Sequence, residues 1–236
     1  MPFLGLGRVI INREVVVKNI YVLGIGHNTP VFVDLAEACG YTIAGLYHYN
    51  DDRTGQVDHD FEIVGSFECL FSKGDLSGMD FLLTMGDNMI RAELLQKIVN
   101  LGGRVPSIIH PTAVISRFAF ISSTGVYISA FTHVQADTFI DEGSVILSGV
   151  NISHTNRIGK YCFVAGGATI GAYTTVEDYV FIGQSALTIS AKVKRIGHHA
   201  CIGARALVTK DVESGAVMMG SPARTIRSLL PANEVL

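Results

Sequence analysis

The stretch FIDEGSVILSGVNISHTNRIGKYCFVAGGATI, residues 139–170, carries a branched aliphatic residue at every sixth position. This register runs without a slip from Ile128 to Ile182, and a small or β-branched residue precedes most of its members by two positions. A helix of 3.6 residues per turn cannot keep a six-residue repeat on one face, and simple alternation does not explain the restriction to aliphatic side chains. The pattern predicts a parallel β-coil whose short strands stack in rungs around a narrow interior.

The register has two interruptions. It starts at Ile115 and Ile121 and gains one residue before Ile128. Later, Ile196 lies two residues beyond its expected position, after which the six-residue spacing resumes. We expect the extra residues, around 188–192, to leave the coil as a small loop.

The composition limits the classes of function. A chain of 236 residues with 48% hydrophobic but only 8% aromatic residues suits one or two domains with thin aliphatic layers. The net charge of −3, without a dense Lys/Arg block, argues against nucleic acid as a partner. No apolar run approaches the ~20 residues of a membrane span. The cysteines are scattered, lack metal-ligand spacing and suit a reducing, cytoplasmic setting: Cys39, Cys69, Cys162 and Cys201.

Strands alternate with helices before the repeats begin. Apolar runs predict strands at 19–23, 42–47 and 81–85, and helices at 31–39 and 90–101. This alternation predicts a small, parallel, Rossmann-like α/β domain. We therefore divide the chain into an N-terminal extension at 1–17, this domain at 18–106, the coil at 107–228 and a tail at 229–236.

The residues around His154 resemble a known family. Three segments carry the resemblance to left-handed β-helix acetyltransferases: Val-Asn-Ile-Ser-His-Thr-Asn-Arg-Ile-Gly-Lys-Tyr at 150–161, Ile-Gly-Ala-Arg-Ala-Leu-Val-Thr-Lys-Asp-Val at 202–212, and Gly-Ser-Pro-Ala-Arg at 220–224. With its N-terminal α/β domain, the chain resembles the branch of bacterial UDP-amino-sugar N-acetyltransferases and sialic acid O-acetyltransferases. The resemblance covers roughly residues 18–228 and implies that the coil is a left-handed β-helix.

The resemblance implies an acetyl-CoA-dependent enzyme. The expected reaction is direct acetyl transfer to the amino group of a nucleotide-linked amino sugar in bacterial glycan biosynthesis, with His154 as general base. Acetylation of a sugar hydroxyl, as in the sialic acid enzymes, is the alternative. The family's CoA lies between adjacent coils of a homotrimer, and a backbone N–H at Gly171 or Ala172 is expected to stabilise the oxyanion. No metal is implied, because the histidines lack the spacing of γ-type carbonic anhydrases.

This sequence departs from the family pattern near the base. An acidic residue commonly follows the histidine, but this chain has Thr155; a second histidine is common where it has Phe163. Thr155 is counted with the catalytic residues. We hypothesise that Asp137, one rung away, supplies the missing carboxylate. The departures also keep open a catalytically impaired nucleotide-sugar-binding protein.

Two sets of binding residues follow from the resemblance. The first is assigned to CoA: Phe163, Gly171, Ala172, Gln184, Gly203, Ala204, Lys210 and Arg224. The second is assigned to the acceptor: Gly24, Gly26, His27, Asp51, Asp52, Gly86, Asn88 and Arg91. The residues themselves support the acceptor set, because Gly24-Ile25-Gly26-His27 follows a predicted strand and precedes a helix, where backbone N–H groups can meet a phosphate.

Overall fold

The structure is a computed structural model, and it describes residues 18–229. The extension predicted at 1–17 and the tail residues 230–236 lie outside the described residues. Within them, an α/β unit comes first and a long coil of mostly two-residue strands follows.

The α/β unit is built on one five-stranded sheet. Its strands are β1 (Lys18–Leu23), β2 (Tyr41–His48), β3 (Val57–Asp58), β4 (Phe61–Ser66) and β5 (Phe81–Leu83). Its helices are α1 (Thr29–Ala38), α2 (Phe67–Phe71) and α3 (Asn88–Asn100), and a 3-10 turn spans Asp51–Arg53. The strand order is β3-β4-β2-β1-β5, parallel except for β3. This is the predicted Rossmann-like arrangement.

The predicted elements exist, with their ends shifted by one to a few residues. Strand β4 and the five-residue helix α2 were not predicted, and α2 is too short to show a helical period. Side chains cap two of the helices. The Asp87 carboxylate accepts from the N–H groups of Met89 and Ile90 at the start of α3, and Ser66 accepts from Cys69 at the start of α2.

The coil consists of three parallel sheets wound from one strand per sheet in turn. The first sheet contains Ile108–Ile109, Tyr127–Ile128, Val145–Ile146, Phe163–Val164, Phe181–Ile182 and Cys201–Ile202. The second contains Val114–Ile115, His133–Val134, Asn151–Ile152, Thr169–Ile170, Leu187–Thr188 and Leu207–Val208. The third contains Phe120–Ile121, Phe139–Ile140, Arg157–Ile158, Thr175–Val176 and Arg195–Ile196.

The six-residue register fills the interior of the coil as predicted. Its aliphatic members from Ile128 to Ile182 have no exposed surface, and the small residues two positions earlier are equally buried. Buried hydroxyls among them are satisfied by the next strand. Thr138 donates to the carbonyl of Ser153 at 3.0 Å and Ser144 to that of Gly159 at 2.7 Å.

Both predicted interruptions of the register are present. The strand Tyr127–Ile128 starts seven residues after Phe120–Ile121. In the third sheet Arg157 pairs with Thr175, eighteen residues on, whereas Thr175 pairs with Arg195, twenty residues on. The two extra residues lie between the strands Leu187–Thr188 and Arg195–Ile196.

A hairpin ends the described coil. The strand Ala216–Gly220 adds to the first sheet in parallel and pairs with the antiparallel strand Ala223–Ser228. The turn between them contains a cis Ser221–Pro222 peptide bond. The hairpin therefore covers the last rung of the first sheet.

The α/β unit packs against the first sheet of the coil, which we call the covered face. The backbone N–H of Leu83 donates to the Tyr127 hydroxyl at 3.0 Å, and the rings of Phe32 and Tyr127 meet edge to face at 5.7 Å. Val145 and Phe163 belong to the same continuous core. The corner between the second and third sheets lies across the coil from this face, and it carries His154.

Candidate functional site

His154 lies in the turn between the strands Asn151–Ile152 and Arg157–Ile158. Residues eighteen apart stack there, so Ala136, His154, Ala172 and Ser190 form one column, which we call the histidine edge. His154 is half-buried. Its Nδ1 lies 3.1 Å from the Thr155 hydroxyl, and its ring meets that of Tyr173 edge to face at 5.1 Å. These contacts orient the imidazole, and Nε2 has no hydrogen-bond partner within residues 18–229.

The Thr155 hydroxyl can either accept a hydrogen bond from Nδ1 of His154 or donate one to it. If Nδ1–H donates to the Thr155 oxygen, the lone pair on Nε2 is free to take a proton. A neutral hydroxyl stabilises the resulting imidazolium less than a carboxylate does. Thr155 thus holds the orientation that an acidic neighbour provides in the family, with less electrostatic support.

Thr155 is held in a strained backbone conformation. Its φ is 56°, in the left-handed region, where a β-branched residue is an outlier. Non-glycine residues hold this conformation at other corners too, among them Asp137, Tyr173 and Ser185, whereas Gly149 and Gly167 hold it elsewhere. The conformation is therefore a general feature of the corners of the coil.

Replacing Thr155 with glycine is expected to separate stability from activity. Glycine relieves the left-handed strain but loses more conformational entropy on folding. The net effect should be a rise in the free energy of unfolding of about 0.5–1 kcal/mol, or in Tm of about 1–4 °C. The initial rate of acetyl transfer should fall at least about tenfold, because the imidazole loses its orienting partner. Ser185→Gly, at a left-handed position of another corner (φ 54°), is the matched control. Unchanged activity of Thr155→Gly would contradict the role of the hydroxyl.

The two backbone amides expected to stabilise the oxyanion are already occupied. The N–H of Gly171 donates to the Thr188 hydroxyl at 2.8 Å, and the N–H of Ala172 donates to the Ser190 hydroxyl at 3.0 Å. Both residues are buried. Hydroxyls of the following rung thus take both donors in this structure, and stabilisation of the oxyanion by one of these amides stays a prediction.

Asp137 stacks one rung from Thr155 and is exposed. Its side chain makes no hydrogen bond to any residue between 18 and 229, and the partner of His154 Nδ1 is Thr155. A carboxylate role for Asp137 stays a prediction.

The residues assigned to CoA lie in several parts of the coil. Gly171 and Ala172 are on the histidine edge, whereas Gln184, Gly203 and Ala204 occupy the corner between the first and second sheets. Phe163 is buried on the covered face, where it stacks on Phe181 at 5.6 Å. Lys210 and Arg224 are exposed near the end of the coil. One chain alone does not bring this set together.

A cavity of about 480 Å³ opens at the carboxyl edge of the α/β sheet. Four of the residues assigned to the acceptor line it: Gly24, Gly26, His27 and Gly86. The Gly26 N–H donates to the Thr29 hydroxyl at 2.9 Å. A Cβ at Gly24 (φ +96°) would come within 3.0 Å of the Thr84 hydroxyl, so glycine is needed to keep this loop close to β5.

The other acceptor residues lie around the cavity and not on its wall. Asp51 and Asp52 are exposed in the 3-10 turn, and Asp52 accepts from Asn50 at 2.6 Å. Two aromatic residues that the sequence did not single out, Tyr49 and Phe67, line the cavity instead. Tyr49 follows β2, so a search of the residues after each predicted strand would have found it, whereas Phe67 follows β4, which was not predicted.

Arg91 and Asn88 lie between the α/β unit and the covered face. Arg91 has no exposed surface, and burial lowers its pKa to about 10. Its guanidinium donates to Asn88 and to backbone carbonyls on both sides, namely those of Met85, Gly143, Tyr161 and Cys162. Asn88 donates in turn to the carbonyl of Tyr179. In this structure these donors are used inside the protein, and the assignment of Arg91 to the acceptor site stays a prediction.

Residues 18–229 contain neither a candidate metal site nor a candidate membrane-spanning helix. No three His, Cys, Asp or Glu side chains there are grouped so as to hold a metal ion. None of the helices in that range has the length and apolarity needed to cross a bilayer.

Known proteins resemble either most of the chain or only a part of it. It is 30% identical over 196 residues to GDP-perosamine N-acetyltransferase of Escherichia coli O157:H7, covering 82% of this chain and 87% of that enzyme. It is 37% identical over 91 residues to UDP-3-O-acylglucosamine N-acyltransferase of Methylobacterium nodulans, which covers 39% of this chain. The chain thus spans only about a quarter, 25%, of that relative's length. No family model matches the sequence.

A solved structure shares the fold. It is the acetyltransferase domain of PglB from Neisseria gonorrhoeae FA1090 in complex with acetyl coenzyme A, with a TM-score of 0.78 at 25% identity, covering 89% of this chain and 100% of that domain. The likeness confirms a left-handed parallel β-helix preceded by a small Rossmann-like domain. The chain belongs to the hexapeptide-repeat acetyltransferase family, in the branch of the sugar N-acetyltransferases.

Proposed function

We propose that the protein transfers an acetyl group from acetyl-CoA to the amino group of a nucleotide-linked amino sugar. One observation carries the proposal: the oriented His154 imidazole, whose Nε2 is unbonded within residues 18–229, on an edge where its rung neighbours are alanines. Identity to GDP-perosamine N-acetyltransferase along both units of the chain supports the choice of substrate class.

The reaction follows from proton transfer at His154. Nε2 accepts a proton from the sugar amine as the amine nitrogen attacks the thioester carbonyl, and the carbonyl π electrons move to oxygen. When the tetrahedral species collapses, the C–S bond breaks and the CoA sulfur leaves. The imidazolium returns its proton to that sulfur, so the amide and CoA are formed and His154 is regenerated.

The cavity of the α/β unit is proposed to hold the acceptor. Its volume suits a sugar nucleotide. In the turn before α1 the N–H groups of Ile25, His27 and Asn28 form no hydrogen bond within residues 18–229, so they and the helix dipole can favour a diphosphate. Tyr49 and Phe67 offer apolar surface on the side of β2 and β4, where the base would lie.

We further propose a homotrimer. Within one chain the acceptor cavity belongs to the unit on the covered face, whereas His154 lies on the opposite edge of the coil. A second copy would bring its histidine edge to this cavity and unite the divided CoA residues. A monomer in sedimentation analysis at assay concentration would contradict this assembly.

A cytoplasmic location is proposed as well. All four cysteines are free, as expected in a reducing compartment. Recovery of the protein outside the cytosolic fraction of its cells would contradict the proposal.

Acetyl-CoA consumption against a panel of acceptors tests the function. The panel contains UDP-, dTDP- and GDP-linked amino sugars, with sialic acid as the hydroxyl acceptor. Turnover with at least one amino sugar, giving an N-acetyl product, is the expected result. Transfer to the sialic acid hydroxyl alone would replace the proposed reaction with O-acetylation, and no turnover with any acceptor would favour a binding protein.

A further inference from the structure

The loop that interrupts the hexapeptide register begins at the histidine edge. Ser190 occupies the same column as His154, two rungs further along, with only Ala172 between them. The side chain of Ser190 is exposed, whereas Ala172 is buried. The loop is packed closely there, because a Cβ at Gly171 would lie 2.5 Å from the backbone nitrogen of Ser190.

The Ser190 hydroxyl is held by one hydrogen bond and retains its own proton for another. Its oxygen accepts the N–H of Ala172 at 3.0 Å. Within residues 18–229 its proton has no protein acceptor. An accepted hydrogen bond polarises the O–H group and makes it a better donor. The result is an exposed donor on the histidine edge, two rungs from the imidazole.

We propose that the Ser190 hydroxyl stabilises the oxyanion in this protein, in place of a backbone amide. This inference rests on the proposed acetyl transfer. As the amine attacks and the carbonyl π electrons move to oxygen, Ser190 Oγ–H would donate to that oxygen, while His154 Nε2 takes the amine proton. Ser190 keeps its proton throughout, so the balance of the reaction is unchanged.

The spacing of the rungs suits a base at His154 and a hydrogen-bond donor at Ser190. His154 and Ser190 are two rungs apart, about 9.6 Å along the coil. A base, an attacking nitrogen, a carbonyl and a donor in line occupy a comparable length. Ala172 between them has a side chain small enough to leave the space open.

A purely structural role for Ser190 makes the opposite prediction. If the hydroxyl only satisfies the Ala172 N–H, its removal would free that amide to bind the oxyanion. Ser190→Ala would then keep or increase kcat. If Ser190 is the donor, the same substitution should lower kcat about 10²–10³-fold, the usual effect of losing one oxyanion donor.

The kinetic test compares three variants in the assembled protein. Ser190→Ala is expected to lose activity, and Ser190→Thr, which keeps a hydroxyl, should recover at least about a tenth of wild-type kcat. Ser185→Ala, an exposed serine on another corner, is the control for a general effect of removing a hydroxyl. A kcat of Ser190→Ala equal to or above the wild-type value would overturn the proposal.

A binding measurement makes the result independent of turnover. A carbonyl that accepts a hydrogen bond vibrates at lower frequency, so the infrared band of acetyl-CoA isotope-labelled at its carbonyl should move up when bound to Ser190→Ala. The variant should also bind acetyl-CoA about fivefold more weakly while its affinity for CoA is unchanged. An unmoved band would overturn the role of Ser190 alone. Failure of the wild type to bind acetyl-CoA would overturn the proposed function and this inference together.

Discussion

Replacing His154 with alanine should lower kcat/KM for acetyl transfer about 10²–10⁴-fold, the range contributed by a positioned general base. The loss should be confined to chemistry. His154 is half-buried, and within residues 18–229 its side chain interacts with the Thr155 hydroxyl and the Tyr173 ring alone, so the coil should keep its Tm and its affinity for acetyl-CoA. The measurement is acetyl-CoA consumption with the best acceptor of the panel, alongside thermal unfolding.

The control is a histidine at another corner of the same coil. His198 lies in the turn between the third and first sheets, where its Nδ1 is 2.7 Å from the Ser214 hydroxyl. His198→Ala should retain wild-type turnover. If His154→Ala kept more than about half of the wild-type rate, the base would have to be another group, and the proposed reaction would lose its central residue.

The fold could be predicted from the sequence because its determinants are local. Each inward position of the coil repeats the same requirement, an aliphatic side chain and a small one, so the period appears directly in the residues. Even the loop after Leu187–Thr188 was visible, since two extra residues displaced Ile196. Strand β4 was missed because it is fixed by pairing with β2, whose last residue, His48, lies thirteen residues before Phe61.

The site was predictable only where a motif carried it. His154 and the Gly24–Gly26 loop belong to recognisable segments, and the structure places them at the coil edge and the cavity. Ser190 belongs to no motif; its importance comes from a hydrogen bond to the amide of the preceding rung. Arg91 shows the reverse case. A matching family motif assigned it to the acceptor, but its burial depends on the docking of α3, which the sequence does not reveal.

Arg91 should prove the most important side chain for holding the two units together. It is a fully buried cation, and within the described residues no carboxylate forms an ion pair with it. Its charge is instead compensated by protein oxygens on α3 and on the coil, at 2.8–3.3 Å. Arg91→Met fills the space but leaves buried carbonyls without donors, each worth about 1–3 kcal/mol. Removal of the buried charge offsets part of that cost, and we expect the free energy of unfolding to fall by about 3 kcal/mol.

For a chain of this size that loss corresponds to a fall in Tm of about 6–12 °C. Arg104→Met is the matched control, because Arg104 is exposed and its ion pair with Asp80 lies at the surface, where such pairs contribute little. Thermal unfolding should therefore separate the two arginine variants clearly. Arg91→Lys should resemble Arg91→Met more than the wild type, since a lysine cannot present the planar set of donors that reaches Gly143 and Tyr161 together. If both Arg91 variants unfolded within about 2 °C of wild type, the apolar contacts around Tyr127 and Phe163 would suffice to hold α3 on the coil.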